Sequence, residues 1–193
     1  MPKIVGVLAV QGDFKEHIEA LNEVEGVEAR AVKTRAQIEE CDALVIPGGE
    51  STTIGKLMER FELDRPVREM HEAGKPIWGT CAGMIVLAKQ IVASDQWRLG
   101  LMDITVERNA FGRQVDSFEV DLPVKGIDDP VRAIFIRAPF VREVCEECGA
   151  DVLAEFEGKI VLVRQGNLLA SAFHPEMTDD RRVQEYFVGM IKE

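Results

Sequence analysis

Cys81 lies where a reactive thiol could be displayed. It stands in GTCAG (79–83), directly after one apolar run and before another, and this is the nucleophile-elbow pattern with cysteine in place of serine. The glycines permit a sharp strand-to-helix turn and a close approach of neighbouring backbone. A helix that begins at Ala82 directs its free N–H groups at the sulfur, which favours the thiolate. The alternative is a buried structural cysteine, since glycine-flanked cysteines also occur without chemistry.

His174 is the candidate base for such a thiol. It ends an apolar strand in FHPE (173–176), and in an extended segment residues i and i+2 point to the same side. Glu176 is therefore expected to accept the proton-bearing nitrogen of His174 while the other nitrogen faces Cys81, as in nucleophile–base–orienter triads. The alternative is a lone histidine at a strand end. The other histidines lie in amphipathic helices and are predicted to be surface residues: His17 and His71.

A third segment, the glycine-rich PGGES (47–51), also follows an apolar run. Attack of a thiolate on an amide carbonyl creates an oxyanion, which backbone N–H groups must stabilise. Gly49 can offer one such N–H and Ala82 the other. The plainer interpretation is a glycine turn with a helix cap, in which Ser51 caps the following helix; both interpretations can hold at once.

The elements that position these motifs alternate between strand and helix in the first half of the chain. Continuous apolar runs such as KIVGVLAV (3–10) and ALVI (43–46) indicate strands buried on both faces of a parallel sheet. Asp13 is a plausible N-cap of the first helix, and a longer helix is expected over 82–92. After residue 97 the segments are mostly short strands, and an amphipathic helix closes the chain.

This pattern predicts an α/β fold with three layers. We expect a mostly parallel central sheet, of the flavodoxin-like type, extended by antiparallel strands. Without a repeat, low-complexity segment or linker, residues 1–193 form a single predicted domain. In open α/β sheets the working site lies at the carboxyl ends of the strands. The three motifs should therefore meet at one edge of the sheet.

Composition excludes several other classes of protein. The net charge of −11 argues against a nucleic-acid binder, and the short N-terminal apolar run is not that of a secretory signal. We expect a cytoplasmic protein without a membrane span. Four cysteines in 193 residues do not suggest a disulfide framework. Cys145 and Cys148 lack the further ligands that a zinc site needs, so we predict no metal site and assign this pair no role. We also predict no cofactor for the chain.

Six segments resemble the class I, triad-type glutamine amidotransferases, and within them the glutaminase subunits of pyridoxal 5′-phosphate synthase. The resemblance covers nearly the whole chain and lies in LAVQGDFKEH (8–17), PGGESTTI (47–54), GKPIWGTCAGMIVLAK (74–89), VERNAFGRQVDSFE (106–119), FIRAP (135–139) and HPEMTDDRRV (174–183). RNAFGRQ and FIRAP are its most specific parts. Met177 departs from the commoner leucine, an apolar exchange that should leave the chemistry unchanged.

The resemblance implies a role for each matching residue. Cys81 would form a glutamyl thioester, His174 would be the general acid and base, and Glu176 would orient His174. The glutamine pocket would be lined by Gly49, Glu50, Ser51, Arg108, Ile136 and Arg137. An arginine suits the carboxylate of free glutamine and a glutamate suits its ammonium group. Gln11 would lie near the oxyanion hole and the partner interface.

The activity implied is hydrolysis of L-glutamine to L-glutamate and ammonia, with the ammonia passed to a separate synthase subunit that makes pyridoxal 5′-phosphate. The assembly implied is a large ring of synthase subunits that carry glutaminases. We expect low activity in the free subunit and an oxyanion hole completed on docking. Two alternatives stay open: a glutaminase that serves histidine, purine, folate or anthranilate synthesis, and a non-enzymatic binding protein on the same fold.

Overall fold

A computed structural model of the chain describes residues 1–108 and 117–192. Within those ranges the strands are β1 Lys3–Leu8, β2 Val27–Val32, β3 Ala43–Ile46, β4 Ile77–Thr80, β5 Ala88–Ile91, β6 Met102–Glu107, β7 Ser117–Leu122, β8 Val131–Ile136, β9 Phe140–Val144, β10 Ala150–Phe156, β11 Lys159–Gln165 and β12 Leu168–Ser171. The helices are α1 Phe14–Asn22, α2 Arg35–Glu39, α3 Ser51–Arg60, α4 Asp64–Glu72, α5 Ala82–Leu87 and α6 Arg182–Val188. None of these helices is long and apolar enough to cross a membrane.

Ten of the strands form one sheet. Its order is β2-β1-β3-β4-β12-β11-β9-β6-β5, and β10 pairs with β11 outside this path. The first five strands are parallel to one another, and antiparallel pairing begins between β12 and β11. A separate antiparallel pair consists of β7 and β8. The predicted α/β class, with a parallel sheet and an antiparallel extension, is confirmed.

Helices cover both faces of the parallel half, as two neighbouring residues of β4 demonstrate. The Trp78 ring lies 5.9 Å from the His17 ring of α1 and 5.3 Å from the Phe187 ring of α6. Gly79 points to the opposite face, where a Cβ would lie 2.5 Å from the backbone of Gly83 in α5. Successive strand residues alternate between faces, so the sheet lies between two helical layers, as predicted.

The helix predicted over 82–92 is wrong in its second half. Helix α5 ends at Leu87, and the next four residues form β5, which pairs in parallel with β6. Ala88 and Ile91 are buried while Lys89 and Gln90 are exposed. An apolar run alone does not distinguish a buried helix from a buried strand, and here pairing with a distant strand decides the conformation.

Two cysteines form a bond that the sequence analysis did not expect. Cys145 and Cys148 are joined by a disulfide across the short 3₁₀ turn Glu146–Cys148. Cys41 and Cys81 are free thiols. Cys41 is buried in the core, whereas Cys81 lies in a turn at the end of β4.

Candidate active site

The three motifs meet at one edge of the sheet. Strands β3, β4 and β12 are neighbours in the parallel half, so the segments after their carboxyl ends lie side by side. They enclose a cavity of about 450 Å³. Its lining includes the residues Asp13, Gly49, Glu50, Ser51, Cys81, Ala82, Arg108, Ile136, Arg137 and His174. Of the residues predicted for the site, Gln11 and Glu176 lie behind this lining.

Cys81 itself carries the turn between β4 and α5. Its φ of 49° and ψ of −103° are unusual for a residue with a side chain, and its N–H donates to the Ser171 carbonyl at 2.7 Å. The flanking glycines serve packing instead: a Cβ on Gly83 would lie 2.0 Å from the Ile46 carbonyl oxygen. The sharp turn was predicted, but the strained backbone belongs to the cysteine.

His174 and Glu176 form the predicted pair. His174 Nδ1 donates to Glu176 Oε1 at 2.6 Å, and both side chains are buried. The segment is a 3₁₀ turn, Pro175–Met177, so the side chains meet through a tight turn rather than through extended backbone. The His174 N–H is held by the Ile134 carbonyl at 2.8 Å. With Nδ1 engaged, Nε2 is left for Cys81.

Asp13 was predicted to cap α1, but its carboxylate makes no cap hydrogen bond. Its Oδ2 lies 3.1 Å from His174 Nδ1 instead. The cap preference of aspartate is a local tendency, and here a tertiary partner outweighs it. Asp13 is therefore a site residue that sequence reasoning missed.

The prediction of a surface location for His17 is wrong. Its side chain is fully buried, with Nε2 3.0 Å from Thr80 Oγ1 and 3.4 Å from Glu176 Oε2. Spacing could have revealed this, because His17 lies three residues after Phe14 and four before Leu21, on the apolar face of α1. His71, also predicted at the surface, is half-buried.

These contacts shift the pKa of two groups. Burial alone would lower the pKa of His174, but hydrogen bonds with Asp13, Cys81 and Glu176 raise it to about 12. Burial alone would raise the pKa of Asp13, yet the hydrogen bond with His174 and the charge of His17 lower it to about 2. At neutral pH the site therefore contains an imidazolium at His174 with the Asp13 carboxylate beside it.

Gln11 supports the loop that contains Gly49. Its Oε1 accepts the Glu50 N–H at 2.9 Å. A Cβ on Gly49 would lie 2.5 Å from the same oxygen, so this loop has no room for a side chain. Gly12 is equally confined, since a Cβ there would lie 1.8 Å from the Gly48 carbonyl oxygen. The loops that follow β1 and β3 are therefore tightly packed together.

Glu50 and Arg108 face each other across the outer part of the cavity. Arg108 Nη2 lies 3.7 Å from Glu50 Oε1, and Arg108 Nη1 donates to Gln96 Oε1 at 2.9 Å. Gln96 Nε2 in turn donates to Ser51 Oγ at 3.1 Å. Gln96 is a second residue that the sequence analysis missed, and it links two residues predicted to bind glutamine.

The N-cap of α3 is Glu50, whereas Ser51 was predicted to cap this helix. Glu50 Oε2 accepts the Thr53 N–H at 2.9 Å. The hydrogen bond from the Thr52 hydroxyl, with others from Thr53, lowers the pKa of Glu50 to about 2. Glu50 is thus a carboxylate at neutral pH. Its Oε2 is held by the first turn of α3, and its Oε1 is directed towards Arg108.

The remaining predicted residues lie on the far side of the cavity. Ile136 is half-buried and Arg137 is exposed, with a φ of 44°. Both line the cavity. Of the specific motif RNAFGRQ only Arg108 can be placed, since residues 109–114 lie outside the described residues.

One cluster in the described part of the chain has ligand types that metals use. The nearest ligand atoms of Asp13, His174 and Glu176 lie within 4.8 Å of one another. The separation of 2.6 Å between His174 Nδ1 and Glu176 Oε1 is that of a hydrogen bond. We therefore interpret the cluster as a proton-bearing imidazole between carboxylates.

Known proteins resemble this chain over almost its full length. The pyridoxal 5′-phosphate synthase subunit PdxT of Moorella thermoacetica is 59% identical over 189 residues, which are 97% of this chain and 98% of that protein. The subunit of the same name from Niallia circulans is 56% identical and covers 98% of each chain.

Solved structures share the fold. A crystal structure of a glutamine amidotransferase has 51% identity and a TM-score of 0.91, and it covers 97% of this chain and 98% of its own. The structure of PurLQS from Thermotoga maritima has 18% identity and a TM-score of 0.74, with 99% of each chain covered, and supports the fold alone. Because the family model also matches residues 7–193, the chain belongs to the SNO glutamine amidotransferase family.

Proposed function

We propose that this chain hydrolyses L-glutamine to L-glutamate and ammonia as the glutaminase subunit of a pyridoxal 5′-phosphate synthase, in one domain over 1–193. The observation that carries the proposal is that Cys81 and His174 line one cavity, with Glu176 hydrogen-bonded to His174 behind it. Relatives named as subunits of that synthase support the pathway. Neither of the two alternatives weighed above is favoured by a comparable observation.

In the first half of the reaction the Cys81 thiolate attacks the carboxamide carbon of glutamine. The carbonyl π electrons move to oxygen, and the tetrahedral intermediate collapses as the C–N bond breaks. The imidazolium of His174 donates its Nε2 proton to the leaving nitrogen, which departs as ammonia. Glu176 holds Nδ1 throughout, so Nε2 is the ring nitrogen left for proton transfer.

The second half hydrolyses the glutamyl thioester. Neutral His174 accepts a proton from water, the hydroxide adds to the thioester carbon, and the thiolate leaves as glutamate forms. Both tetrahedral intermediates carry an oxyanion, for which we assign the N–H groups of Gly49 and Ala82 as donors. Gln11 supports this arrangement, because its amide fixes the neighbouring Glu50 N–H.

Recognition of free glutamine falls to the charged residues of the outer cavity. Arg108 would bind the substrate carboxylate and Glu50 its ammonium group, with Ser51, Ile136 and Arg137 as further contacts. In the structure Arg108 and Glu50 are directed at each other. Bound glutamine would separate Arg108 from Glu50. Arg108 would then pair with the substrate carboxylate, and Glu50 would pair with the substrate ammonium group.

The partner is a separate synthase subunit that consumes the ammonia. We propose that the assembly is a large ring of synthase subunits and that docking completes the oxyanion hole around Gly49. The free subunit would then turn over slowly, so that ammonia is made where its acceptor is present. Equal turnover by the free and the docked enzyme would contradict this part of the proposal.

The decisive experiment measures glutamate release from L-glutamine by the chain alone and with a purified pyridoxal 5′-phosphate synthase subunit. Activity should rise with the partner and be lost in Cys81→Ala. Cys41→Ala is the matched control, since Cys41 is a buried core thiol. Activity that ignores the partner would assign the enzyme to another pathway, and no activity in either arm would refute the glutaminase.

A cytoplasmic location is part of the proposal. A thiol nucleophile stays reduced in a reducing compartment. The Cys145–Cys148 disulfide argues the other way. Thiol labelling of the chain in fresh cell extract tests the location, with Cys145→Ser as the reference that cannot form this disulfide. Cys145 and Cys148 should both be free thiols if the location is cytoplasmic, and a disulfide between them would contradict it.

A further inference from the structure

His174 has two carboxylate partners rather than the one that a triad requires. Its Nδ1 lies 2.6 Å from Glu176 Oε1 and 3.1 Å from Asp13 Oδ2. Both separations are within hydrogen-bond range. Nδ1 carries a single hydrogen, which is donated to Glu176 Oε1, so Asp13 Oδ2 meets the same nitrogen as an ion-pair partner.

Asp13 is held in place by the loops around it. Its N–H donates to the Gly48 carbonyl at 3.2 Å, and its carbonyl accepts the His17 N–H at 3.4 Å. A Cβ on Gly48 would lie 2.9 Å from Asp13 Oδ2 and 2.7 Å from His174 Cε1. The absence of a side chain at Gly48 therefore leaves the room in which carboxylate and imidazole meet.

The two carboxylates approach the imidazole from different sides. The Glu176 side chain is 0% exposed, whereas that of Asp13 is 16% exposed and lines the cavity with Cys81. Asp13 Oδ1 is buried and has no hydrogen-bond partner in the described ranges. Glu176 thus holds the ring from within the protein, and Asp13 holds it from the side of the cavity.

We propose that Asp13 is a positioning residue of the reaction: its carboxylate restrains the His174 ring from the cavity side, and its negative charge stabilises the imidazolium that pairs with the Cys81 thiolate. This restraint acts through His174 and needs no contact with glutamine. It matters most when the Nε2 proton is transferred, since the ring is then fixed at Nδ1 by the Glu176 hydrogen bond and by the Asp13 charge beside it.

The groups around His174 define what the test must separate. Asp13 precedes α1, Cys81 precedes α5, and Glu176 lies in the turn after β12, so each comes from a different part of the chain. His17 approaches Glu176 Oε2 at 3.4 Å from α1. Loss of the Asp13 charge leaves Glu176 as the remaining anion on Nδ1, and the imidazolium should then lose its proton at a lower pH.

The first test follows the His174 ring in the full-length chain by NMR, through its Cε1 proton as pH rises. With three histidines in the chain, His174→Gln assigns the signal. In Asp13→Asn, which keeps the shape and one acceptor, the midpoint should fall by about one pH unit or more relative to the parent protein. Glu19→Gln, which changes an exposed carboxylate in α1, should leave the midpoint within about 0.2 pH units of the parent value.

The second test is kinetic and rests on the proposed function. With the synthase partner present, Asp13→Asn should lower kcat about tenfold while KM changes less than about twofold. Asp13→Ala, which removes the acceptor as well as the charge, should lower kcat further. Should Asp13→Asn fail to fold, Asp13→Ser would be measured in both tests.

Failure of the two ideas can be distinguished. If the parent protein does not hydrolyse glutamine, the proposed function fails while the NMR test of Asp13 remains valid. A midpoint for Asp13→Asn that equals that of the parent, or a shift no larger than in Glu19→Gln, would overturn the role of Asp13. Loss of thermal stability with an unchanged midpoint would overturn it too, because that is the signature of a structural residue.

Discussion

The cavity has two walls that differ in burial and in connection. The imidazole wall, which we define as Asp13, Cys81 and His174, rests on a buried network that includes Glu176 and His17. The arginine wall, defined as Glu50, Ser51 and Arg108, is held by longer and more exposed contacts through Gln96. One wall is fixed before any substrate arrives, and the other must rearrange to admit it.

This difference separates two tasks of an enzyme. Proton transfer requires atoms held within a few tenths of an ångström, which a buried network provides. Recognition of a zwitterion requires charges that can exchange partners, and these are better placed near water. Changes on the imidazole wall should therefore act on kcat, and changes on the arginine wall should act on KM.

Glu176→Gln should have the largest effect and lower kcat by about 100- to 1000-fold, since the amide no longer fixes the protonated Nδ1 of His174. KM should change little. Steady-state glutamate release with the synthase partner measures both constants, and Glu25→Gln, an exposed glutamate, is the control. A rise in KM equal to the loss in kcat would remove the distinction between the walls.

Arg108→Gln should raise KM for glutamine about 10- to 100-fold, because a hydrogen-bonded charge pair with the substrate carboxylate is worth about 1.5–3 kcal/mol. The value of kcat should fall much less. Arg142→Gln tests specificity, since Arg142 forms an exposed ion pair with Glu107. The same assay applies. A loss confined to kcat would place Arg108 with the catalytic groups.

The imidazole wall should also make stability depend on pH. The pKa of His174 is raised from 6.5 to about 12, so above about pH 6.5 the folded protein retains a proton that the unfolded chain releases. The contribution is complete below pH 6.5 and is lost as pH rises towards 12, with a slope of at most about 1.4 kcal/mol per pH unit.

Urea unfolding at several values between about pH 7 and 9 measures this slope. The free energy of unfolding should decline more steeply in the parent protein than in His174→Gln, which cannot bind the proton. If the free energy of unfolding declines equally with pH in both proteins, the imidazole of His174 is not charged in the folded protein.

Gln96→Ala should have the smallest effect, a rise in KM of about three- to tenfold, because it removes the hydrogen bonds that orient Ser51 and Arg108 but leaves both of these residues in place. Arg108 and Ser51 would both lose their shared partner. Gln90→Ala, on the exposed side of β5, should leave KM unchanged. If Gln96→Ala raises KM as much as Arg108→Gln does, Arg108 acts only through its orientation by Gln96.

Features that depend on local pattern were predicted from the sequence. Buried apolar strands placed the segments that follow them, with Cys81, His174 and Gly49, at one sheet edge, because parallel strands end at the same edge. Glu176 was predicted to pair with His174 because the two residues are two positions apart. The pair forms even though the backbone between them is a 3₁₀ turn and not the extended segment that was expected. The pattern of apolar segments along the chain therefore predicted the layers of the fold and the position of the three motifs at one edge of the sheet.

Features that depend on distant contacts were not predicted. Asp13 has the residue type of a helix cap, and only the folded chain brings its carboxylate to His174. Gln96 lies in a connection without periodicity, so no signal distinguishes it from its neighbours. The end of α5 at Leu87 was missed because pairing with β6, more than ten residues further on, decides it.

The backbone of Cys81 gives the fold an evolutionary liability. A residue with a side chain at φ 49° and ψ −103° costs of order 1–3 kcal/mol, whereas glycine adopts such angles freely at an added unfolded-state entropy of about 0.4–1 kcal/mol. Mutation to glycine at this position would stabilise the chain and destroy the nucleophile. Selection for catalytic activity must therefore act continuously to keep cysteine at this position. Homologous proteins that no longer need the activity should lose Cys81 before they lose the fold.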